Sequence, residues 1–315
     1  MIIKSIEVEK FRSISDVSFE LGKKLTAIAG RNATQKTTLL GMLGQPFAIS
    51  KDSPLFGCST VDGYNFRSQF SEKFKLSITY EPIGSHKWTL NFHNHGYYKN
   101  DKITIQSIAR KQKGKPDGIR FWNADEQKKG EGYVQLPVYY LSLSRLSPIG
   151  ETSKTSTHNI NLTQEEIDYC VRAYREILSI TSISGVPSLS VEKGTGKRVY
   201  SGINDGIHDI FTNSAGEGNI SRIILSILSF KRLKDQYSTK YKGGILLIDE
   251  LDATLYGFSQ KRLLKYLLDS AKEYRIQIIF TTHSPIVLNE MYKLHREESK
   301  RSGILPTQSA YDTSI

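Results

Sequence analysis

Two runs toward the C-terminal end, "GGILLIDE" at 243–250 and "IQIIFTTHS" at 276–284, place apolar residues at consecutive positions. A strand solvated on one face alternates apolar with polar residues. One buried on both faces does not, and such strands belong to parallel sheets covered by helices. Between the runs, "SQKRLLKYLLDSAKEY" has the helical period, and "PIVLNEMYKLHREESKR" follows as another helix. Strand, helix, strand, helix predicts an α/β fold whose sheet is at least partly parallel.

The first fifty residues repeat that grammar. "IIKSIEVEKF" alternates as a half-buried strand should, and "VSFEL" and "LTAIAG" are read as two further strands. The last of them runs into "GRNATQKTT" (30–38), and "KTTLLGMLGQPF" then carries Leu39, Leu40 and Leu43 at helical spacing. Strand, glycine loop and helix is the context in which Gly-x4-Gly-Lys-Ser/Thr cradles phosphate. Gly30, Lys36 and Thr37 are in register with that pattern, but Gln35 stands where its second glycine belongs. Ala33 fills another position suited to glycine. Backbone N–H groups at the helix start would face the β- and γ-phosphates, Lys36 would neutralise them and Thr37 would offer an oxygen to Mg²⁺. Side chains at 33 and 35 imply either modest strain or an altered loop.

From about 50 to 145 the texture changes. "FKLSITYEP", "HKWTLNFHN", "KITIQSIARK", "GIRFWNA" and "VQLPVYYLSLS" are short alternating runs separated by Gly, Asn, Asp and Pro. They predict an antiparallel β lobe inserted after the first helix. Residues 163–180 switch to a helical period that opens on a capping box, Thr163 with Glu166. "PSLSVEKGTGKRVYSG" is read as a hairpin whose tip carries Lys193, Lys197 and Arg198, and "NISRIILSILSFKRLK" as an amphipathic helix with a basic end. One continuous unit over 1–315 is expected. Its parts are a phosphate-loop core (1–49), the β lobe (50–145), a helical subdomain with hairpin (146–212) and a second catalytic half (213–315).

The buried strand 245–248 ends in Asp249 and Glu250. Carboxylates at such a place carry a desolvation cost that a metal ion would offset. Asp249 would enter the Mg²⁺ shell, and Glu250 would orient or deprotonate the attacking water. "NSAGEGN" (213–219) is a Ser-x-Gly-Glu turn opening a helix, so the Ser214 hydroxyl and the free N–H groups make an anion site of their own. His283 ends the next strand, either within reach of a γ-phosphate or its water, or as a structural cap. Asp252 is either an interface residue or a turn acid.

In this order "FRSI", the phosphate loop, "SAGE", "LLIDE", Asp252 and "TTHS" resemble the ATP-binding-cassette heads of the RecF and chromosome-maintenance (SMC) group. "KTTLLGMLGQPF", "YYLSLSRLSPIGE" and "SAGEGNISRII" are similar, more narrowly, to the Septu-type (PtuA) antiphage defence ATPases and their retron-linked relatives. The resemblance implies a P-loop NTPase with a mixed sheet core. It implies ATP and Mg²⁺ as cofactors and head-to-head dimers or higher homo-oligomers. ATP held at Lys36, Thr37 and Thr38 of one subunit would be completed by Ser214, Gly216 and Glu217 of another. Arg12 and Asn32 would lie beside the phosphates. Arg145 in "LSRL" is either a phosphate or partner contact or a buried structural arginine, and Gln45 is offered for the coupling glutamine of transporters.

By the same resemblance the partner is an HNH-type effector nuclease, with a reverse transcriptase and its DNA product, or another nucleic acid, as further partners. This chain has no His-Asn-His cluster of its own. Lys plus Arg number 43 against 32 Asp plus Glu, a surplus of 11. That fits an acidic partner and keeps open a RecF-like repair ATPase that grips DNA directly, and equally a merely solvated basic surface. A transporter ATPase fits poorly, because its signature turn usually reads Leu-Ser-Gly-Gly-Gln. No long heptad segment joins the two halves, so the chromosome-maintenance arm is missing. Relatives often continue past the last helix, so an end at Ile315 suggests a shortened form or the ordered portion of a longer protein. Cys58 and Cys170 lie far apart without metal-ligand spacing, the N-terminus lacks a signal peptide, and no apolar run reaches the ~18 residues of a membrane span. A cytoplasmic protein is expected.

Overall fold

The computed structural model describes residues 2–51, 53–67, 70–77, 79–93, 101–112, 115–124, 133–146, 155–179, 188–194, 199–204 and 214–302. In chain order, β1 (Ile2–Phe11), β2 (Ile14–Glu20) and β3 (Leu25–Ala29) lead into α1 (Lys36–Gly44). A short α2 (Phe70–Lys73) precedes β4 (Lys87–His93), β5 (Lys102–Gln112), β6 (Lys115–Asn123) and β7 (Val138–Leu141). A 3-10 turn at Leu143–Leu146 is followed by β8 (Thr155–Asn159), α3 (Gln164–Leu178), β9 (Ser188–Gly194) and β10 (Val199–Asn204). The second half runs α4 (Ala215–Tyr237), β11 (Gly244–Ile248), α5 (Gly257–Glu273), β12 (Ile276–Thr282) and α6 (Pro285–Ser302).

Three sheets result. The parallel one has the order β3-β12-β11-β7, and the antiparallel one β2-β1-β4-β5-β6. A third, antiparallel, sheet is β10-β9-β8. Period-2 alternation divides the residues of the parallel sheet between two cores. Leu246 and Ile248 of β11, with Ile278 and Phe280 of β12, pack among residues of α3, α4 and α5. Ile245, Leu247 and Ile279 face the other way, onto α1 and the antiparallel sheet. The consecutive apolar residues of "GILLI" are thus the signature of a strand with a core on each side, as expected.

Gln277 fastens the two sheets together. Its amide oxygen accepts from Ile3 N at 2.9 Å, and its amide nitrogen donates to the carbonyls of Ile3 (2.9 Å) and Gly22 (2.8 Å).

Four sequence expectations need correction. The first helix stops at Gly44 rather than continuing through "QPF", since Pro46 cannot supply a helical N–H. The described residues of "FKLSITYEP" form no strand; α2 ends at Lys73, and Glu81 N donates back to the Ser77 carbonyl at 2.8 Å in a turn. The strand in "VQLPVYYLSLS", expected in the antiparallel lobe, pairs in parallel with β11 through Val138–Leu141. Residues Asn219–Phe230 of α4 are buried all round, not amphipathic, because α4 lies between the parallel sheet and other helices. The Thr163–Glu166 capping box and the hairpin of β9 with β10 are present. Lys197, Arg198 and the 303–315 tail lie outside the described residues, as does the Lys193 side chain. Among the described residues no helix is long and apolar enough to cross a membrane.

Candidate functional site

β3 ends at Ala29 and delivers the loop 30–35 to the start of α1. Gly30 sits close to Thr34, since a Cβ there would lie 2.8 Å from Thr34 Oγ1 and would oblige that side chain to turn away. The two missing glycines have left a trace in the backbone. Ala33 sits at φ 65° and Gln35 at φ 60°, the left-handed region that favours glycine. The loop is therefore strained rather than reshaped. Gln35 caps α1 from that conformation and donates its side-chain amide to Ser13 Oγ, while its buried Oε1 has no partner among the described residues.

Lys36 is 9% exposed and folds back on the loop, donating to the carbonyls of Gly30 at 3.0 Å and Arg31 at 2.8 Å. Burial pushes its ammonium below the usual lysine range, against the upward pull of Glu250, Asp249 and Asp252. A cation so placed, partly stripped of water among carboxylates and carbonyls, is chemically suited to an anionic group. Thr37 Oγ1 donates to both carboxylate oxygens of Asp249 at 3.0 Å, across 212 positions of sequence. Parallel pairing of β3, β12 and β11 brings these two residues together.

One carboxylate beside one hydroxyl suits Mg²⁺, which keeps several waters and takes phosphate oxygens rather than an all-protein cage. The donor set of Thr37 and Asp249 fits that ion. Among the described residues no group of three His, Cys, Asp or Glu could hold a metal by itself.

Asp249 is buried and also accepts from Thr281 Oγ1 at 2.7 Å, and the same hydroxyl oxygen accepts from Glu250 N at 2.7 Å. Thr281 thus holds the Asp249 carboxylate and the Glu250 backbone from the neighbouring strand, a role the sequence reading missed. The signal was there, in an apolar strand turning polar one residue before its end. Glu250 adopts φ 49°. His283 is exposed, and its backbone N–H donates to Asp252 Oδ1 at 3.3 Å. Asp252 also accepts from Thr282 Oγ1, so it is a turn acid that shapes the His283 loop.

Arg12 lies at the other rim with its donors engaged. It bonds Glu81 at 2.7 Å, the Lys75 carbonyl at 2.9 Å and Thr38 Oγ1 at 3.4 Å. It therefore reaches the first turn of α1, and Glu81 was not foreseen as its holder. Asn32 is exposed on the loop. Gln45 caps the opposite end of α1, about 13 Å from the loop at 1.5 Å per residue, which removes it as a coupling glutamine.

Ser214 and Glu217 form a capping box at the start of α4: Ser214 N donates to Glu217 Oε2 at 2.7 Å and Glu217 N to Ser214 Oγ at 3.3 Å. The serine hydroxyl keeps its own proton free to donate. Gly216 is needed where α4 meets the loop after β11, since a Cβ would lie 2.8 Å from the Thr254 carbonyl. Among the described residues no hydrogen bond joins this turn to the phosphate loop of the same chain. Arg145 is buried and structural, donating to Asn219 Oδ1 at 2.8 Å and to the Glu250 carbonyl at 2.9 Å. Burial pushes its guanidinium down to about 10, leaving it charged at neutral pH.

Residues 139–288 match the family model described as AAA ATPase domain. The match takes in the serine turn, both acids and His283. Similar solved structures include the SMC head domain from Thermotoga maritima, at 15% identity over 92% of each chain with TM-score 0.46. Another is the SMC head bound to the C-winged helix domain of ScpA, at 15% identity, 92% of each chain and TM-score 0.48. RecF with ATP, the recombination mediator of the RecFOR pathway, is similar at 14% identity over 90% of this chain and 93% of that one, with TM-score 0.44. Residues 139–288 thus match an ATPase domain, and the loop 30–38, outside that match, brings its threonine to the strand-end aspartate in an α/β fold built on parallel and antiparallel sheets.

Proposed function

We propose that this ATPase binds ATP with Mg²⁺ at Lys36, Thr37, Thr38 and Asp249, hydrolyses it slowly through Glu250, and dimerises head to head around it. The observation that carries the reading is Thr37 set 3.0 Å from both oxygens of Asp249. Lys36 would exchange its loop carbonyls for phosphate oxygens, and His283 would stand by the γ-phosphate. Ser214, with its free hydroxyl proton and the N–H groups of Gly216 and Glu217, would cap the γ-phosphate of a second copy. Two anion sites that do not meet within one chain can be joined by one phosphate across an interface.

Lys36→Ala is the direct test. Removing one partner of a part-buried charge pair costs about 2–5 kcal/mol, so ATP affinity is expected to fall by about 30-fold or more. Wild-type affinity in the variant would refute the site. The slow rate follows from the loop: left-handed Gln35 costs roughly 1–2 kcal/mol, and misplacement by about 1 Å can cost ~100-fold in rate. Gln35→Gly is expected to keep ATP affinity within about threefold and raise turnover up to roughly 10-fold. Unchanged turnover would detach the rate from the loop.

Nucleotide state would then act as a switch on a partner. The Septu-like phrases point to an HNH-type effector nuclease in antiphage defence. Co-purification of such a nuclease, released or activated according to nucleotide, would support that reading. A second reading, direct DNA binding in the manner of a RecF-type repair ATPase, is favoured by the surplus of 11 positive charges. It requires ATP-responsive duplex binding by the isolated chain that weakens steeply with salt.

A further inference from the structure

The loop from Glu250 to Thr254 is bounded by two non-glycine residues in the left-handed region, at φ 49° and φ 66°. Backbone of that kind persists only where its surroundings over-determine it. Here the surroundings are the first turns of α4 and one arginine. Asn219 Nδ2 donates to the Ala253 carbonyl at 3.0 Å, and Asn219 Oδ1 accepts from Arg145 Nε at 2.8 Å. Arg145 Nη2 donates to the Glu250 carbonyl at 2.9 Å, while Nη1 reaches the carbonyls of Leu141 (3.4 Å) and Ser142 (3.0 Å) at the end of β7. Close by, the Gly216 backbone lies against the Thr254 carbonyl. Asn219 is fully buried and Arg145 nearly so.

We infer that Arg145 and Asn219 are positioning residues that make the serine turn and the Glu250 loop move as one body. Engagement of Ser214 by an anion thereby sets where the Glu250 carboxylate stands. The inference rests on the reading of Glu250 as the group that activates water. Its physical basis is that buried donors cannot part from their acceptors without a desolvation cost. Asn219 is five residues into the helix that Ser214 caps, so a shift of that rigid helix end must carry Ala253 and, through Arg145, Glu250.

Two variants test this. Asn219→Asp keeps the shape and the acceptor for Arg145 but removes the donor to Ala253. Arg145→Lys keeps the charge but not the fork. Single-turnover hydrolysis, ATP affinity and Tm are measured on the same preparations. Turnover per folded molecule is expected to fall roughly 10-fold or more with ATP affinity held within about threefold. The double variant is expected to lose no more than the worse single one. Ser214→Ala is expected to slow the wild type but not to slow Asn219→Asp further. A purely structural role would lower Tm and leave turnover per folded molecule unchanged, and that result would overturn the inference, as would additive losses.

Should the wild type itself show no turnover, the reading of Glu250 fails separately. Coupling is then read from amide hydrogen exchange at 251–255, which Asn219→Asp must accelerate about 10-fold. Unchanged exchange there would equally overturn it.

Discussion

Glu250→Gln is expected to lower ATP turnover by about 10²- to 10⁴-fold, the range that a positioned general base contributes. ATP affinity should stay within about threefold. The substitution keeps the shape of a side chain whose backbone is held by Thr281 and Arg145, so the strand end and its turn survive. It leaves Asp249 and Thr37 as they are, and with them the donors for Mg²⁺. The lost negative charge is the largest of the three carboxylate influences on Lys36, which argues for a small change in affinity in either direction but not a loss. Under the proposed head-to-head reading, bound but unhydrolysed nucleotide traps a dimer, visible as an ATP-dependent doubling of mass in solution. Wild-type turnover in this variant would remove Glu250 from the chemistry.

Asp62→Asn is expected to destabilise the protein by about 3–5 kcal/mol without touching the phosphate loop. Asp62 is buried, pairs with Arg222 Nη1 at 2.6 Å, and accepts from Tyr139 at 2.8 Å and from Thr60. The ion pair joins the segment after α1 to the middle of α4. Burial pushes the Asp62 carboxyl up, but Arg222 and the hydrogen bonds outweigh it and hold the group below the usual carboxylate range. A depressed carboxyl contributes stability that is present above its unfolded pKa, near 4, and lost as pH falls through the lower folded value. The gap in Tm between wild type and variant should therefore be roughly 10 °C at neutral pH and narrow below about pH 4. A gap of equal size at pH 3 and pH 7 would refute the assignment. The variant leaves Arg222 buried with a charge that no carboxylate answers, which is the main source of the loss.

Much of the site was legible because its parts are local. A strand running into Gly30 and then into Lys36 and Thr37, an apolar strand ending in Asp249 and Glu250, and a Ser214–Glu217 capping box each declare themselves within one short stretch of chain. Period and end-signals are properties of short segments, set by backbone geometry and by which N–H groups a helix start leaves open. The same locality explains the errors. "FKLSITYEP" alternates like a strand, yet Glu81 is drawn into holding Arg12 and His86, and the chain turns instead. Residues of α4 read as amphipathic because Ser221, Ser226 and Arg222 are polar, yet all three are buried in the fold.

The sequence alone declared β3, β11 and β12, the helices that follow them and the candidates for phosphate contact, because those follow from side-chain chemistry and repeat period. Only the tertiary structure decided that Thr37 would meet Asp249, that Thr281 would hold the Asp249 carboxylate and the Glu250 backbone, and that β7 would join the parallel sheet. It also decided that Arg145 would turn inward to Glu250 and Asn219 rather than outward to a ligand. These are pairings between distant segments, chosen by which faces can be buried together, and no short stretch of chain contains that information.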